Sequence, residues 1–173
     1  LGVQLSLCVN GRSAAPWSKG GIAHGDVLLL SRPLGTGVLF AAAMADACPP
    51  EALDTVLQQM ASSQHRLLDQ LEPHRRAIHA CTDVTGFGLL GHLGEMLASS
   101  APLRITLRTH SIPAYPEALD RLAQGHASSL APATAELALA RIDVPHFAAS
   151  IGAAVLEQGE VDGALSFLVA TSA

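Results

Sequence analysis

Apolar residues recur along this chain at two spacings, every second position and every third or fourth. In Val3-Gln4-Leu5-Ser6-Leu7-Cys8-Val9 the period is two, which predicts a half-buried strand closed by an Asn10-Gly11 turn. Val27 to Ser31 is a short unbroken apolar run between turn residues and predicts a strand covered on both faces. Val38 to Ala47 is alanine-rich and predicts a helix, with Gly35 and Gly37 read as small residues that let it lie close on a sheet. Pro49-Pro50 ends that helix and opens another. There Leu53, Val56, Leu57, Met60, Gln64, Leu67, Leu68 and Leu71 keep the helical period for about five turns, a core-facing stripe in which Met60 needs no cofactor. Ala77 to Ala80 predicts a strand, and Leu89, Leu90, Leu93, Met96 and Leu97 form one face of a following helix. Beyond them the pattern predicts a strand at Leu103–Thr109, a loop at Ile112–Pro116 and a helix at Glu117–Ala123. A turn at Ser128–Pro132, helices at Ala133–Ala140 and Phe147–Leu156, and a last strand at Ala164–Ala170 complete it. This loose alternation, with more hydrophobic helices than a one-sided sheet can use, predicts an α+β fold. The expected architecture is a single three-layer α/β/α domain over residues 1–173 with a mixed sheet.

Composition narrows the function classes. At 173 residues, 49% apolar and 14% charged, the chain has the size and make-up of one globular domain. A net charge of −5 without any lysine/arginine run argues against a nucleic-acid partner. The apolar runs are far below membrane-spanning length, and Leu1 to Asn10 lacks the basic start of a signal peptide. Cys8, Cys48 and Cys81 show no C-x-x-C spacing, and their odd number suits a reducing cytoplasm. Beginning with Leu in mid-strand, the chain reads as a piece of a longer protein.

The densest chemistry lies in Cys81-Thr82-Asp83-Val84-Thr85-Gly86-Phe87-Gly88-Leu89-Leu90-Gly91-His92-Leu93-Gly94-Glu95. It reads as a strand end, a glycine-bearing polar turn and a helix start. Unpaired N–H groups at the helix start favour phosphate, whereas Asp83 in the same turn repels it unless a cation stands between them. Asp83, a divalent metal and a nucleotide phosphate together satisfy both. The plainer alternative is Asp83 as a helix cap, and for an isolated Asp-x-Thr-Gly the cap is the commoner outcome. Gly86 to Gly91 also satisfies G-x-G-x-x-G, but the next strand ends in Arg108, Thr109 and His110 instead of the carboxylate a dinucleotide site needs. Thr82 and Thr85 orient the turn, and Cys81, ending an apolar strand, reads as a small hydrophobe. Lys19 beside Gly20-Gly21 invites a phosphate reading, though a lone loop lysine is usually solvated. His92 and the other histidines lack ligand spacing, and neither G-x-S-x-G nor a P-loop occurs.

The stretch from Cys81 to Glu95 resembles the motif of the C-terminal domain of selenophosphate synthetase (selenide, water dikinase). Trp17 to Leu39, with Trp17-Ser18-Lys19-Gly20-Gly21-Ile22-Ala23-His24-Gly25-Asp26, and Ser128-Ser129-Leu130-Ala131-Pro132-Ala133 resemble it too, and the likeness fades past about residue 140. The resemblance implies ATP-dependent conversion of selenide to selenophosphate, with AMP and phosphate as the other products. It implies Asp83 as a Mg2+ ligand beside the nucleotide phosphates. The reactive cysteine or selenocysteine and its partner lysine would lie in an N-terminal domain, leaving no catalytic residue here and no turnover by this chain alone. Homodimerisation through that other domain is the further implication. One departure stands out: where the family carries an Asp-Pro-Gln-Thr-Ser-Gly-Gly-like segment, Leu165-Ser166-Phe167-Leu168 passes straight to Val169-Ala170-Thr171, as if a loop between Leu168 and Val169 were left out. The alternatives are a relative of aminoimidazole ribonucleotide synthetase, whose glycine-rich loop differs at the aspartate, and a non-catalytic packing module.

Overall fold

The computed structural model describes residues 6–101, 103, 105, 107 and 111–128, and the backbone of 166–172. Its elements are β1 (Asp26–Leu30), α1 (Thr36–Met44), α2 (Pro50–Ala61), α3 (His65–Leu71), a 3-10 turn at Glu72–Ala77, β2 (Ile78–Val84), α4 (Gly88–Ala98), α5 (Pro116–Ala123) and β3 (Ser166–Ser172). The chain is α+β, as the two spacings predict.

The last strand is the central one. β3 lies between β1 and β2 and runs antiparallel to both. Leu28 faces Ala170, which faces Ala80, and Leu30 faces Leu168, which faces Thr82. Alternation along the strands then separates two faces. Ala80, Thr82 and Val84 are buried on one, and His79, Cys81 and Asp83 are half-buried on the other. Helix α4 covers the first face, where Leu89, Leu90, Leu93 and Met96 cluster with Ala80, Val84, Ile22 and Leu34 while Leu28 and Leu30 pack alongside. On β1 only alternate residues are sheltered, Val27 and Leu29 being 45% and 48% exposed. Among the described residues one face alone carries a helix, and the second cover expected for this strand is not among them. All described ladders are antiparallel, and parallel pairing is confined to the single Leu34–Ala114 bridge. The ladder runs through Leu168 and Val169, which face Leu30 and Leu29 on successive rungs.

A second cluster joins three helices. Leu39 of α1, Val56 of α2, and Tyr115 and Ala118 at α5 form it, with Phe40, Cys48 and Met60 packed against them. A Cβ on Gly35 would stand 2.4 Å from that of Ala118, so this glycine lets α1 lie on a helix, not on the sheet as the sequence suggested. The predicted five-turn helix is divided. Ser62 is extended (ψ 125°), its Oγ donates to the Gln58 carbonyl at 2.8 Å, and the Ser63 Oγ accepts the His65 N–H at 3.1 Å. Serine side chains thus replace the helix ladder at the break. The stripe buries Val56 fully, whereas α3 buries none of its residues.

The alternating segment at the start does not form a strand in its described part: Ser6 to Asn10 is irregular, and Leu7 and Val9 are exposed. Among the described residues no sheet edge pairs with it. Leu103, Ile105 and Leu107 pack on the first cluster at the two-residue spacing their pattern requires. The helices expected at 133–140 and 147–156, and the turn beyond Ser128, lie outside the described residues. Among those described, no helix is long and apolar enough to cross a membrane.

Candidate functional site

β2 runs four residues past the predicted strand. Pairing with β3 continues to Val84 opposite Ser166, which draws Cys81, Thr82 and Asp83 into the ladder. Asp83, opposite Phe167, is therefore the penultimate residue of a strand and not part of a turn. The turn is Thr85–Phe87, closed by the Gly88 N–H donating to the Thr85 carbonyl at 2.8 Å. Helix α4 starts at Gly88 with no side-chain cap, which removes the capping role for Asp83. Half-buried on the face opposite α4, the Asp83 carboxylate meets no hydrogen-bond donor among the described residues.

Its neighbours on the strand divide by face. Burial, and after it the Asp83 charge, push the Cys81 thiol up to about 11, so the group is a protonated thiol at neutral pH. That agrees with its reading as a small hydrophobe. Thr82 points to the α4 side, where its hydroxyl is buried without a partner among the described residues.

The glycine loop before β1 does not form a phosphate cradle. The Cys81 N–H donates to the Ser18 carbonyl at 2.8 Å, so the loop runs along the edge of β2. The Gly20 N–H donates to Ser18 Oγ, and the Gly21 and Ile22 N–H groups donate to Ser100 Oγ at 3.0 and 3.1 Å. Ser100 Oγ in turn donates to the Met96 carbonyl at 2.7 Å. With its donors engaged, the loop straps the end of α4 to β2. Lys19 is not free for phosphate: its Nζ lies 2.9 Å from Glu95 Oε2 and holds the Glu95 carboxyl below the usual carboxylate range.

Sequence reasoning missed what this strap serves. His92, only 5% exposed, has Nε2 3.0 Å from Thr85 Oγ1 and Nδ1 3.1 Å from Glu95 Oε2. The Phe87 ring meets it edge-on, with centroids 6.1 Å apart. A polar chain Thr85–His92–Glu95–Lys19 thus runs from the turn to the glycine loop. Glu95 three residues after His92 on a helix was the available local signal; nothing local signals Lys19, 76 residues away. Elsewhere the Asp26 carboxylate accepts the Ala23 N–H at 2.8 Å and contacts His79 Nδ1 at 2.9 Å, closing the entry to β1.

As a metal site this is a fragment. Among the described residues no group of three or more His, Cys, Asp or Glu is placed to hold an ion. Asp83 offers one carboxylate.

Residues 23–169 match the family described as AIR synthase related protein, C-terminal domain, and the chain belongs to it. Within that family the chain is similar to proteins named selenide, water dikinase. It is 42% identical to the one from Treponema denticola over 102 residues, which is 59% of this chain and 28% of the relative. It is 36% identical to that of Pelobacter propionicus over 103 residues (60% and 29%) and 36% identical to that of Bdellovibrio bacteriovorus over 110 (63% and 31%). The chain thus spans only 28–31% of the length of these relatives.

Proposed function

We propose that this chain is the C-terminal domain of a selenophosphate synthetase, and that the intact enzyme converts selenide, ATP and water into selenophosphate, AMP and phosphate. One observation carries the reading beyond likeness. In a chain similar to selenide, water dikinases, Asp83 sits at the exit of β2 with no helix end to cap and, among the described residues, no donor to satisfy it. A buried or bonded carboxylate would be spent on the fold; this one is available to a cation.

The donor set fits a shared site, with Asp83 as this domain's ligand to Mg2+ and the other ligands on an N-terminal domain of the same protein. When bound, the ion offsets the phosphate charge that builds up as the nucleotide is cleaved. The sheet's part is to hold the carboxylate on a paired strand, where it cannot follow the motion of a loop. Cys81 remains a thiol and takes no part, and the selenium-handling cysteine or selenocysteine belongs to the N-terminal domain with its lysine. Homodimerisation through that domain and a cytoplasmic location go with the same reading. So does a three-layer domain with a mixed sheet, which the helix-covered face and the parallel Leu34–Ala114 bridge support.

The test is selenide-dependent formation of AMP and selenophosphate, followed by 31P NMR. The intact enzyme turns over and the 173-residue chain alone does not. Asp83→Asn in the intact enzyme lowers the rate on the order of 100-fold, as loss of one charged ligand predicts. Full activity of Asp83→Asn would leave the chain a packing module, and absence of selenide dependence in the wild type would remove the assigned reaction.

A further inference from the structure

A histidine buried in the apolar face of a helix is costly unless both of its nitrogens are satisfied. Helix α4 presents Leu89, Leu90, Leu93 and Met96 to the sheet, and His92 is buried among them. Both nitrogens have partners, at 3.0 and 3.1 Å, on opposite sides of the ring. The partners fix the arrangement of a neutral ring. An ionised Glu95 only accepts, so Nδ1 carries the hydrogen; Nε2 then accepts the hydroxyl proton of Thr85. Lys19 holds Glu95 from the other side.

Thr85 is the first residue after β2 and the first of the turn, two positions beyond Asp83. The turn also bears on the helix elsewhere. The Phe87 ring lies edge-on to His92, and a Cβ on Gly91 would come within 3.0 Å of the Phe87 Cβ. We propose that His92 is the positioning residue of this site: it pins the Thr85 hydroxyl, and so the turn at the exit of β2, to an α4 that the Lys19–Glu95 bridge ties to the glycine loop. A leucine here would fill the space and release the turn. This assignment deepens the metal-site reading of Asp83 and rests on it for its effect on turnover, but its geometry stands by itself.

Two measurements separate the cases. In the 173-residue chain, long-range 1H–15N correlation of the His92 ring shows the Nδ1–H form. Amide exchange at Gly86, Phe87 and Gly88 rises tenfold or more in His92→Leu while exchange in β2 is unchanged. In the intact enzyme, His92→Leu lowers kcat tenfold or more and raises the half-saturating Mg2+ concentration, with KM for selenide and the melting temperature little altered. His92→Gln, which keeps a donor and an acceptor, recovers most of that loss. An Nε2–H ring, or wild-type exchange at residues 86–88 in His92→Leu, overturns the proposal whether or not the enzyme makes selenophosphate. Turnover lost only in proportion to the folded fraction overturns it as well, since that is what a merely structural residue does. Should the wild type lack selenide-dependent turnover, the reaction assignment fails and the exchange experiment still decides the role of His92.

Discussion

Replacing Gly20 by alanine tests the strap that holds α4 to the sheet edge. A Cβ at this position would stand 2.0 Å from the Ser99 carbonyl oxygen and 2.7 Å from the Ser99 Cβ. The obstruction is the backbone at the end of α4, so it cannot swing aside as a side chain would. The loop must retreat by roughly 1 Å or more to reach ordinary contact, and overpacking of this kind costs about 1–3 kcal/mol. The retreat also breaks the pair of N–H bonds from Gly21 and Ile22 to Ser100 Oγ, each worth about 1 kcal/mol. Partial exposure of Ile22, now 6% exposed, adds to the loss. The sum is about 3–5 kcal/mol against a domain stability of about 5–15 kcal/mol. That lowers the melting temperature by about 10 °C at this chain length. Two other glycines supply controls. Gly11 has no atom within 4 Å of an added Cβ, so Gly11→Ala stays within about 0.5 kcal/mol of the wild type. Gly25 is equally open but holds φ at +92°, so Gly25→Ala costs about 1 kcal/mol from backbone strain alone. Urea titration of the three variants, followed by far-UV circular dichroism, ranks them. The close-approach reasoning is refuted if Gly20→Ala unfolds within 1 kcal/mol of the wild type, or if Gly11→Ala falls as far.

Three further outcomes follow from single side chains. Thr82→Val removes the buried, unpartnered hydroxyl while keeping its shape, and stabilises the chain by about 1 kcal/mol; a loss of that size instead would reveal a partner for the hydroxyl. Cys81 labels slowly with a disulfide reagent at pH 8 while exposed Cys8 labels quickly, and its rate climbs only as pH approaches about 11. Because its thiol pKa is raised on folding, stability falls as pH rises from 9.0 through about 11, and Cys81→Ala flattens that alkaline limb unless the assigned shift is wrong. Lys19→Met raises the midpoint of the Glu95 carboxyl, read by 13C NMR, since Lys19 is the chief cause that holds it down. The pair stabilises above the ordinary carboxylate range and is lost as pH falls through the lowered midpoint, by less than about 1 kcal/mol for so exposed a bridge; an unmoved midpoint would mean that the bridge does not form in solution.

The periodic patterns gave the helices that pack, and they failed where tertiary pairing outvoted them. Leu89 to Leu97 predicts α4 because its apolar face alone decides its place. Glu117 to Ala123 likewise predicts α5, which starts one residue earlier at Pro116. The long stripe from Leu53 to Leu71 failed because Ser62 and Ser63 offer the backbone side-chain partners, an effect that hydrophobic spacing does not record. The end of β2 was misplaced for another reason. Thr82, Asp83 and Thr85 look like turn residues locally, yet β3, more than 80 residues later, pairs with the strand up to Val84. At the site, Asp83 was legible as the unusual acid, and its standing apart from α4 was not. The polar chain through His92 was illegible because Lys19 and Glu95 meet only once the loop folds along β2.

Moving Asp83 from turn to strand alters what the proposed site must look like. Had the carboxylate shared a turn with the start of α4, cation and phosphate would lie side by side on one surface. In the folded chain the carboxylate belongs to the face of β2 opposite α4, whereas the helix start belongs to the covered face. A ligand that meets both must lie across the end of β2. The link between the carboxylate and the helix start is the Val84–Phe87 backbone. Any slack in that link changes the distance from the carboxylate to the helix end, and with it the attraction, which varies inversely with distance and steeply in a low dielectric. A site of this shape needs a fixed turn. That requirement gives a buried histidine, at the cost of an apolar contact, a reason to stand where the helical pattern would place a leucine.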